Sequence, residues 1–355
     1  MAMEKSFKQQ ITGLIIGKFC PLHLGHEHLI NHALKNCDKL VIVSYTKPEF
    51  PHCAPINREM WLHTRFPQAK YWVIDDKVLK SLCLKNNEAP REIPENDASE
   101  TIHRGFVAWL CHKILKVKIN KIFTSEDYGE GFVQYMQDYF QPIFPSLKIT
   151  HELVDLHRTS VPINATKIRL EPQKHKKFLS PEVYAFFVKR LCFLGGESTG
   201  KSTLTQLVAK TLQAEFVLEY GRELWESKRG NLQFEDMLTI AETQIQGENA
   251  KSLITQDWLI CDTSPLTTFF YSLDLFGKAD KTLELLSWRP YDLVFLCAPD
   301  FDFVQDGTRR DPAFREKQHQ WYLKTLEERN IPYVILEGSI ESRIKSILAI
   351  LSKTK

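Results

Sequence analysis

The feature that most constrains the fold is a glycine-rich segment in the second half of the chain, Gly195-Gly196-Glu197-Ser198-Thr199-Gly200-Lys201-Ser202. It matches the pattern G-x-x-x-x-G-K-[S/T], with the apolar run LCFL before it and the helical pattern TLTQLVAKTL after it. Such a loop surrounds phosphate oxygens with backbone N–H groups when a buried strand leads in and a helix leads out. The segment therefore predicts a parallel α/β sheet that carries a nucleotide phosphate site.

Short apolar runs alternate with longer helical patterns through both halves of the chain. Strands are predicted at Gly13–Ile16, Lys39–Tyr45, Tyr71–Ile74, Lys121–Thr124 and Lys148–His151, and again at Leu191–Leu194, Phe216–Leu218, Trp258–Cys261, Asp292–Cys297 and Pro332–Leu336. Long helices are predicted at Lys201–Leu212, Phe234–Leu253 and Ala313–Glu328. Strands separated by helices require crossover connections. The predicted fold class is α/β, with two doubly wound parallel sheets, the first Rossmann-like.

A chain of 355 residues is long enough for two domains. Residues 171–189 contain two prolines and a run of cations, a composition typical of a surface connection. We therefore predict a first domain over 10–170, a linker over 171–189 and a second domain over 190–355. The apolar stretch Val183–Val188 within the linker is predicted to pack on one or both domains. The proline-containing segment Asn86–Ala98 is predicted to be a surface loop or lid.

Composition argues against several other classes of protein. The formal net charge is +2 and no long basic block occurs, so nucleic-acid binding is not expected. The eight cysteines are scattered without a C-x-x-C pair, which is typical of a reducing compartment. No apolar run approaches the ~18 residues of a membrane span, and the first ten residues have no signal-peptide pattern. We expect a cytoplasmic protein without membrane insertion.

A second phosphate-binding pattern lies near the start of the chain, in Gly17-Lys18-Phe19-Cys20-Pro21-Leu22-His23-Leu24-Gly25-His26. It follows a predicted strand and leads into a helix, whose N-terminal N–H groups and dipole attract phosphate. His23 and His26, three residues apart, can stabilise charge on one α-phosphate. Two ordinary loop histidines, or a metal site with His28 and His32, are the alternatives. The complete string favours the phosphate interpretation.

This string resembles the signature of nucleotidylyltransferases, which join a phosphorylated substrate to ATP and release pyrophosphate. Their second signature ends in Ile-Arg at a helix start, and Asn164-Ala165-Thr166-Lys167-Ile168-Arg169 stands in that place. The resemblance implies catalytic roles for Lys18, His23, His26 and Arg169. Nucleotide-binding roles in this half are assigned to Gly17, Phe19, Gly25, Thr124, Ser125, Thr166 and Lys167.

The second half carries further groups suited to phosphoryl transfer. Lys201 would reach the β- and γ-phosphates, and Ser202 with Asp262, at the end of a predicted strand, would hold Mg²⁺. We assign the base that accepts the hydroxyl proton to Asp262, with Glu219 as the alternative, and a charge-stabilising role to Arg309 in Asp306–Arg310. ATP is predicted to contact Gly195, Gly196, Glu197, Ser198, Thr199, Gly200, Ser202, Thr203 and Arg309. Substrate-binding residues are predicted at Cys20, Trp109, Arg158, Glu219, Tyr220 and Arg222.

The succession of these two halves resembles the NadR family. The matching stretches are Gly17–Phe19, Pro21–His26, Ala165–Arg169, Gly195–Ser202, Glu219–Glu223, Asp262-Thr263 and Asp306–Arg309. The resemblance implies that the second half phosphorylates nicotinamide riboside with ATP to the mononucleotide, NMN. It implies that the first half adenylylates NMN to NAD, with Mg²⁺ as cofactor. The expected ligands are thus nicotinamide riboside, NMN, NAD and ATP, and a homo-oligomer is possible.

The sequence departs from the family pattern at two positions. Cys20 stands where an aromatic residue is usual, and Asn164 replaces a small residue, although asparagine still caps helices well. The chain also begins at its first strand, so the helix-turn-helix repressor domain of some family members is not expected. The rival interpretations are a kinase whose first half only senses NAD or ATP, a bifunctional enzyme for a flavin or pantetheine precursor, and a non-enzymatic regulator.

Overall fold

The computed structural model describes residues 10–307 and 309–353. These residues form two compact units that divide between Val183 and Tyr184. The dividing point lies inside the segment predicted as a linker. Thr308, which belongs to the predicted arginine-bearing segment, lies outside the described residues.

The first unit is built around a five-stranded parallel sheet with the strand order β3-β2-β1-β4-β5. Its strands are β1 (Thr12–Ile16), β2 (Lys39–Ser44), β3 (Lys70–Val73), β4 (Lys121–Thr124) and β5 (Thr150–Leu153). Its helices are α1 (Leu24–Lys35), α2 (Pro55–Arg65), α3 (Asp76–Asn86), α4 (Glu100–Trp109), α5 (Gly129–Phe140) and α6 (Ala165–Leu170), and a π-helical turn (Leu110–Ile114) extends α4. The strand order reverses between β1 and β4, and ligands bind at such a switch point.

The second unit also contains a five-stranded parallel sheet, in the order β10-β9-β6-β8-β7. Its strands are β6 (Lys189–Gly195), β7 (Glu215–Val217), β8 (Trp258–Asp262), β9 (Leu293–Cys297) and β10 (Val334–Leu336). Its helices, after the short α7 (Pro181–Tyr184) at the division, are α8 (Lys201–Leu212), α9 (Tyr220–Ser227), α10 (Phe234–Ser252), α11 (Pro265–Phe276), α12 (Lys281–Leu286), α13 (Pro312–Glu328) and α14 (Ile340–Leu351). The central strand β6 leads directly into the glycine-rich loop.

The predicted fold class is confirmed, since each sheet is parallel in every pairing that the structure describes. Each predicted strand is found, with small shifts at its ends. The largest shift is in β5, which spans Thr150–Leu153 rather than Lys148–His151 because Thr150 pairs with Lys121 of β4. The central strands were predictable because a parallel strand buried on both faces is a continuous apolar run.

The segment predicted as a linker contains short helical turns rather than an extended loop. Turns occur at Lys176–Phe178 and Ala185–Phe187. Val183, Ala185 and Phe186 are buried, in agreement with the expectation that this apolar stretch packs on folded structure. In the second unit, the Phe186 ring lies 5.0 Å from the Arg190 guanidinium.

The ranges that the structure describes contain no helix that is both long and apolar enough to cross a membrane. All eight cysteines lie within these ranges and none forms a disulfide.

Candidate active sites

A cavity of about 660 Å³ opens at the carboxyl ends of β1 and β4 in the first unit. The structure brings together most of the residues predicted for this half: Gly17, Lys18, Phe19, Cys20, His23, Gly25, His26, Ser125, Arg158, Thr166 and Arg169 all line it. Thr124 is buried at the end of β4 and does not line the cavity, and neither does Lys167 of α6. Segments distant in the sequence therefore form one site.

The two histidines are stacked inside this cavity. Their ring centroids are 3.8 Å apart, and the Phe19 ring meets His26 edge-on at 5.0 Å. The Nδ1 atom of His23 accepts a hydrogen bond from the Gly25 N–H at 3.1 Å and caps α1. Burial lowers the pKa of His23 to about 4 and that of His26 well below the ordinary value, and Arg158 adds to both shifts. Both rings are therefore neutral at pH 7, and because Nδ1 of His23 is an acceptor, its Nε2 carries the proton.

Two cations line the same cavity as the histidines. Arg169 donates to the Cys20 carbonyl oxygen, contacts the Thr166 hydroxyl at 3.1 Å and lies over the Phe50 ring at 4.1 Å. The Nζ atom of Lys18 is 3.3 Å from the Asn96 carbonyl oxygen. Burial lowers the pKa of Lys18, an effect to which Arg169 adds. These cations are suited to stabilise a polyphosphate.

The structure shows the contacts of Cys20 and Asn164, the two residues that depart from the family pattern. Cys20 is buried, and its thiol donates to the Lys18 carbonyl oxygen at 3.1 Å. Asn164 caps α6 by accepting a hydrogen bond from the Lys167 N–H at 2.9 Å, so the expected cap is confirmed.

Trp109 is placed differently from the prediction. It lies in the core of the first unit, 4 % exposed, beneath the Arg91 guanidinium at 4.4 Å, and does not line the cavity. Six residues earlier on the same helix, His103 lines the cavity and pairs with the Tyr45 hydroxyl at 2.9 Å. The apolar spacing that predicted the helix also pointed Trp109 into the core, while the polar face of the helix carried the site residue.

The alternative interpretation of the histidines as a metal site has no structural support. In the part of the chain that the structure describes, no three His, Cys, Asp or Glu side chains are grouped to hold a metal ion. His32 pairs instead with Glu152 of β5.

A second cavity, of about 540 Å³, lies above the glycine-rich loop in the second unit. The predicted residues that line it are Gly195, Glu197, Ser198, Thr199, Gly200, Lys201, Ser202, Thr203, Glu219, Arg222 and Arg309. Gly196 and Tyr220 do not line it. Gly195 has a φ of 143°, and a Cβ atom there would lie 2.8 Å from the Cys297 carbonyl oxygen. Glycine is thus required where the loop leaves β6.

The lysine of the loop folds back over its own backbone. Its Nζ atom donates to the Gly196 carbonyl oxygen at 2.8 Å, and the Thr199 hydroxyl donates to the same oxygen at 2.8 Å. Both groups are thereby held against the glycine-rich loop, and the phosphate contact of Lys201 stays a prediction.

Two carboxylates lie near Lys201. Asp262 ends β8, is 1 % exposed, and its Oδ1 atom has no hydrogen-bond partner among the described residues. Burial raises the pKa of Asp262, while Lys201 and a hydrogen bond from Ser202 oppose that shift. Glu219 lines the cavity directly, and burial raises its pKa against the opposing charge of Lys201. Asp262 is therefore enclosed by protein, whereas Glu219 lines the cavity.

Part of the lining of the second cavity is apolar and was not predicted from the sequence. Its lining residues there come from α9, α10, α11 and the α9–α10 connection: Trp225, Leu232, Met237, Ile240, Tyr271, Leu275 and Phe276. No local spacing marks these residues as a group, because they meet only in the folded unit. An apolar end with aromatic side chains suits a flat ring.

Arg309 lies where the arginine-bearing segment reaches the loop. Its guanidinium is 3.3 Å from the Ser198 hydroxyl and pairs with Asp306 at 3.0 Å. Arg222 also pairs with Asp306, at 3.3 Å. The predicted phosphate and substrate groups thus converge on one end of the cavity.

The chain is similar to NadR proteins over most of its length. The chain is 27% identical over 347 residues to the trifunctional NAD biosynthesis/regulator protein NadR of Escherichia coli, covering 95% of this chain and 81% of that protein. The chain is homologous to NadR. The NadR protein of Salmonella typhimurium is 26% identical over 361 residues, with 97% and 83% coverage. Residues 190–343 match a family model described as an AAA domain.

Among solved structures, a NadR protein in complex with NR aligns over 97% of this chain and 96% of its own length, with 21% identity and a TM-score of 0.44. A NadR protein in complex with NAD and AMP-PNP aligns over 96% and 95%, with 19% identity and a TM-score of 0.43.

Proposed function

We propose that this chain is a bifunctional NAD salvage enzyme. Its second unit phosphorylates nicotinamide riboside with ATP to NMN, and its first unit adenylylates NMN with ATP to NAD and pyrophosphate. The observation that carries the proposal is that each unit of a NadR homologue has a cavity lined by the residues of one predicted phosphate motif.

Adenylyl transfer in the first cavity requires no protein nucleophile. An oxygen of the NMN 5′-phosphate attacks the α-phosphorus of ATP, and the bond to the pyrophosphate oxygen breaks. Because His23 is neutral, it acts as a hydrogen-bond donor through Nε2 rather than as a cation. Lys18 and Arg169 supply the positive charge that the developing negative charge requires. Arg158, which lines the cavity, is suited to a substrate phosphate.

Phosphoryl transfer in the second cavity requires a base near the riboside 5′-hydroxyl. That hydroxyl attacks the γ-phosphorus, ADP leaves, and the hydroxyl proton passes to a carboxylate. Glu219 faces the cavity, whereas Asp262 is buried beneath the loop. We therefore transfer the role of base, assigned from the sequence to Asp262, to Glu219. Burial raises the pKa of both carboxylates, so access to the cavity decides the assignment.

The residues beneath the loop fit a magnesium ion. A carboxylate oxygen of Asp262 without a partner and the hydroxyl of Ser202, which bonds to that carboxylate, are hard oxygen ligands of the kind that Mg²⁺ prefers. When bound, Mg²⁺ supplies charge neutralisation on the β- and γ-phosphate oxygens. Ser202 and Asp262 would hold it, and Lys201 would remain free to contact phosphate.

The rival interpretations are less consistent with the geometry. A first unit that only senses a nucleotide has no need of two stacked neutral histidines opposite two cations. The apolar end of the second cavity suits an aromatic base, which disfavours a pantetheine precursor. A flavin precursor remains the alternative, to be compared as a substrate in the same assay.

Two substitutions test the proposal as a matched pair. Lys201→Ala removes the phosphate-loop cation, so ADP release with nicotinamide riboside should fall below detection while NAD formation from NMN stays near wild type. His26→Ala should lower NAD formation from NMN by on the order of 10²–10³-fold and leave phosphorylation unchanged. Both activities are followed by mass spectrometry of NMN and NAD.

Two results with these variants and the wild type would contradict the proposal. Loss of both activities in either variant, with an unchanged circular dichroism spectrum, would show that the two cavities do not act independently. A wild-type chain that makes NMN but no NAD would favour the sensor interpretation of the first unit.

A further inference from the structure

Glu197 makes contacts that the proposed chemistry does not use. Its Oε2 atom accepts a hydrogen bond from the Arg310 N–H at 2.7 Å, and its Oε1 atom accepts one from the Tyr271 hydroxyl at 3.0 Å. Its own N–H donates to Oε1 of Gln318 at 2.9 Å. The glycine-rich loop, α11 and the chain around the start of α13 thus meet at one side chain.

The next residue in the loop contacts the same arginine-bearing chain. The Ser198 hydroxyl accepts a hydrogen bond from the Val304 N–H at 3.0 Å and lies 3.3 Å from Nη1 of Arg309. The Nε atom of Arg309 is buried without a hydrogen-bond partner among the described residues. Glu197 and Ser198 together therefore hold the chain on both sides of Arg309 against the phosphate loop.

The hydrogen bond from the Tyr271 hydroxyl to Glu197 connects the glycine-rich loop to the part of the cavity proposed to bind the substrate. Tyr271 lines the cavity and lies close enough to Glu219 for the two groups to interact electrostatically. Burial raises the pKa of Tyr271 well above its ordinary value, so the phenol keeps its proton and donates to Glu197.

We propose that the Glu197 carboxylate is a positioning residue of the kinase reaction, which holds Arg309 at the phosphates and connects that position to Tyr271 at the substrate end. The inference rests on the proposed kinase function. The sequence pattern assigned Glu197 to phosphate binding, which the loop backbone performs, so the side-chain role is distinct. A misplacement of about 1 Å can cost about 10²-fold in rate, so anchoring an arginine matters to catalysis.

Three substitutions at this position separate hydrogen bonding from charge. In Glu197→Gln, Oε1 can accept from the Arg310 N–H while Nε2 donates to the Tyr271 oxygen, so both contacts survive without the charge. Glu197→Asp keeps the charge but is one methylene too short to reach both partners. Glu197→Ala removes both contacts. Tyr271→Phe removes only one of them.

The kinetic expectation is a loss of kcat rather than of ATP affinity. Glu197→Gln should keep at least about a third of the wild-type kcat, whereas Glu197→Asp and Glu197→Ala should lose on the order of 10–10²-fold. Tyr271→Phe should lose less than Glu197→Ala. KM for ATP should stay within about threefold, since the backbone of the loop is unchanged. ADP release with nicotinamide riboside measures these values on the full chain.

Limited proteolysis supplies a second readout that does not depend on catalysis. Trypsin cleavage after Arg309 and Arg310, mapped by mass spectrometry, should be faster in Glu197→Asp and Glu197→Ala than in the wild type and unchanged in Glu197→Gln. NAD formation from NMN reports that the first unit remains folded, and an unchanged circular dichroism spectrum reports the same of the second.

Two results would overturn the inference. One is an active Glu197→Asp beside an inactive Glu197→Gln, which would make the charge the essential property. The other is the same cleavage rate in all variants. If the wild type does not phosphorylate nicotinamide riboside, the proposed function fails, and the cleavage rates still decide whether Glu197 anchors this chain.

Discussion

His23 and His26 differ from ordinary surface histidines because they lie inside the first unit. His23 is 5 % exposed, and its ring is stacked on His26. A protonated ring would lose its hydration there without gaining a carboxylate partner, and Arg158 nearby adds repulsion. The sequence predicted that both rings belong to one site, and both line the first cavity, but their protonation state depends on burial, which the motif does not encode.

The first prediction concerns the pH dependence of stability. The pKa of His23 is about 4 when folded and about 6.5 when unfolded, so the unfolded chain binds more protons between these values. Stability is full above pH 6.5 and declines as the pH falls towards 4. Between pH 7 and pH 5 this histidine alone should remove about 2 kcal/mol from the free energy of unfolding.

His23→Asn is the matched control, because asparagine can still cap α1 but cannot gain a proton. Thermal unfolding of the first unit, followed by calorimetry of the full chain at pH 7 and pH 5, should show a smaller acid shift in this variant. An identical shift in both proteins would mean that His23 titrates normally.

At the scale of elements, a buried ion cluster connects β6, α10 and the chain before β9. Glu248 of α10 is fully buried, and its carboxylate accepts hydrogen bonds from Nε of Arg289 at 2.7 Å and from the Tyr291 hydroxyl at 2.8 Å. The Arg190 guanidinium lies 3.7 Å from the same carboxylate. One negative charge therefore compensates two buried cations.

The second prediction follows from that imbalance. Glu248→Gln keeps the shape of the side chain but leaves Arg190 and Arg289 without a counter-charge, so the second unit should lose about 3–5 kcal/mol of stability. Glu242→Gln, on the exposed side of the same helix, should change stability by less than about 0.5 kcal/mol. Urea unfolding measured by loss of kinase activity compares the two. Equal losses of stability in the two variants would show that the buried charge does not stabilise the second unit. NAD formation from NMN is the internal control.

Some of these elements and site residues could be predicted from the sequence, and others could not. The strands and the two phosphate loops were predictable, because a buried parallel strand is a run of apolar residues and a phosphate loop is contiguous in sequence. Trp225 and Tyr271 were missed as site residues, since α9 and α11 bring them together only after folding. The base was assigned to Asp262, which ends β8, with Glu219 as the alternative, and only the folded unit shows that Asp262 is buried whereas Glu219 lines the second cavity.

At the scale of the whole molecule, each candidate site is contained in one unit. The lining residues of the first cavity lie between Ile15 and Arg169, and those of the second between Gly195 and Gln318. The unit boundary falls between Val183 and Tyr184, ahead of the start predicted for the second domain at residue 190. The residues between these two points include Phe186, whose ring lies 5.0 Å from the Arg190 guanidinium and 5.1 Å from that of Arg289.

The last prediction concerns fragments of the second unit. A fragment of residues 184–355 should fold and release ADP with nicotinamide riboside, because it contains the complete second cavity. A fragment of residues 190–355 lacks the aromatic ring that covers the two arginines and should be less stable by about 3–5 kcal/mol, the usual cost of removing a buried phenylalanine. Phe186→Ala in the longer fragment should reproduce most of that loss. Equal melting temperatures for the three proteins would show that Phe186 does not stabilise the unit, and a folded but inactive 184–355 fragment would show that the first unit contributes to the kinase site.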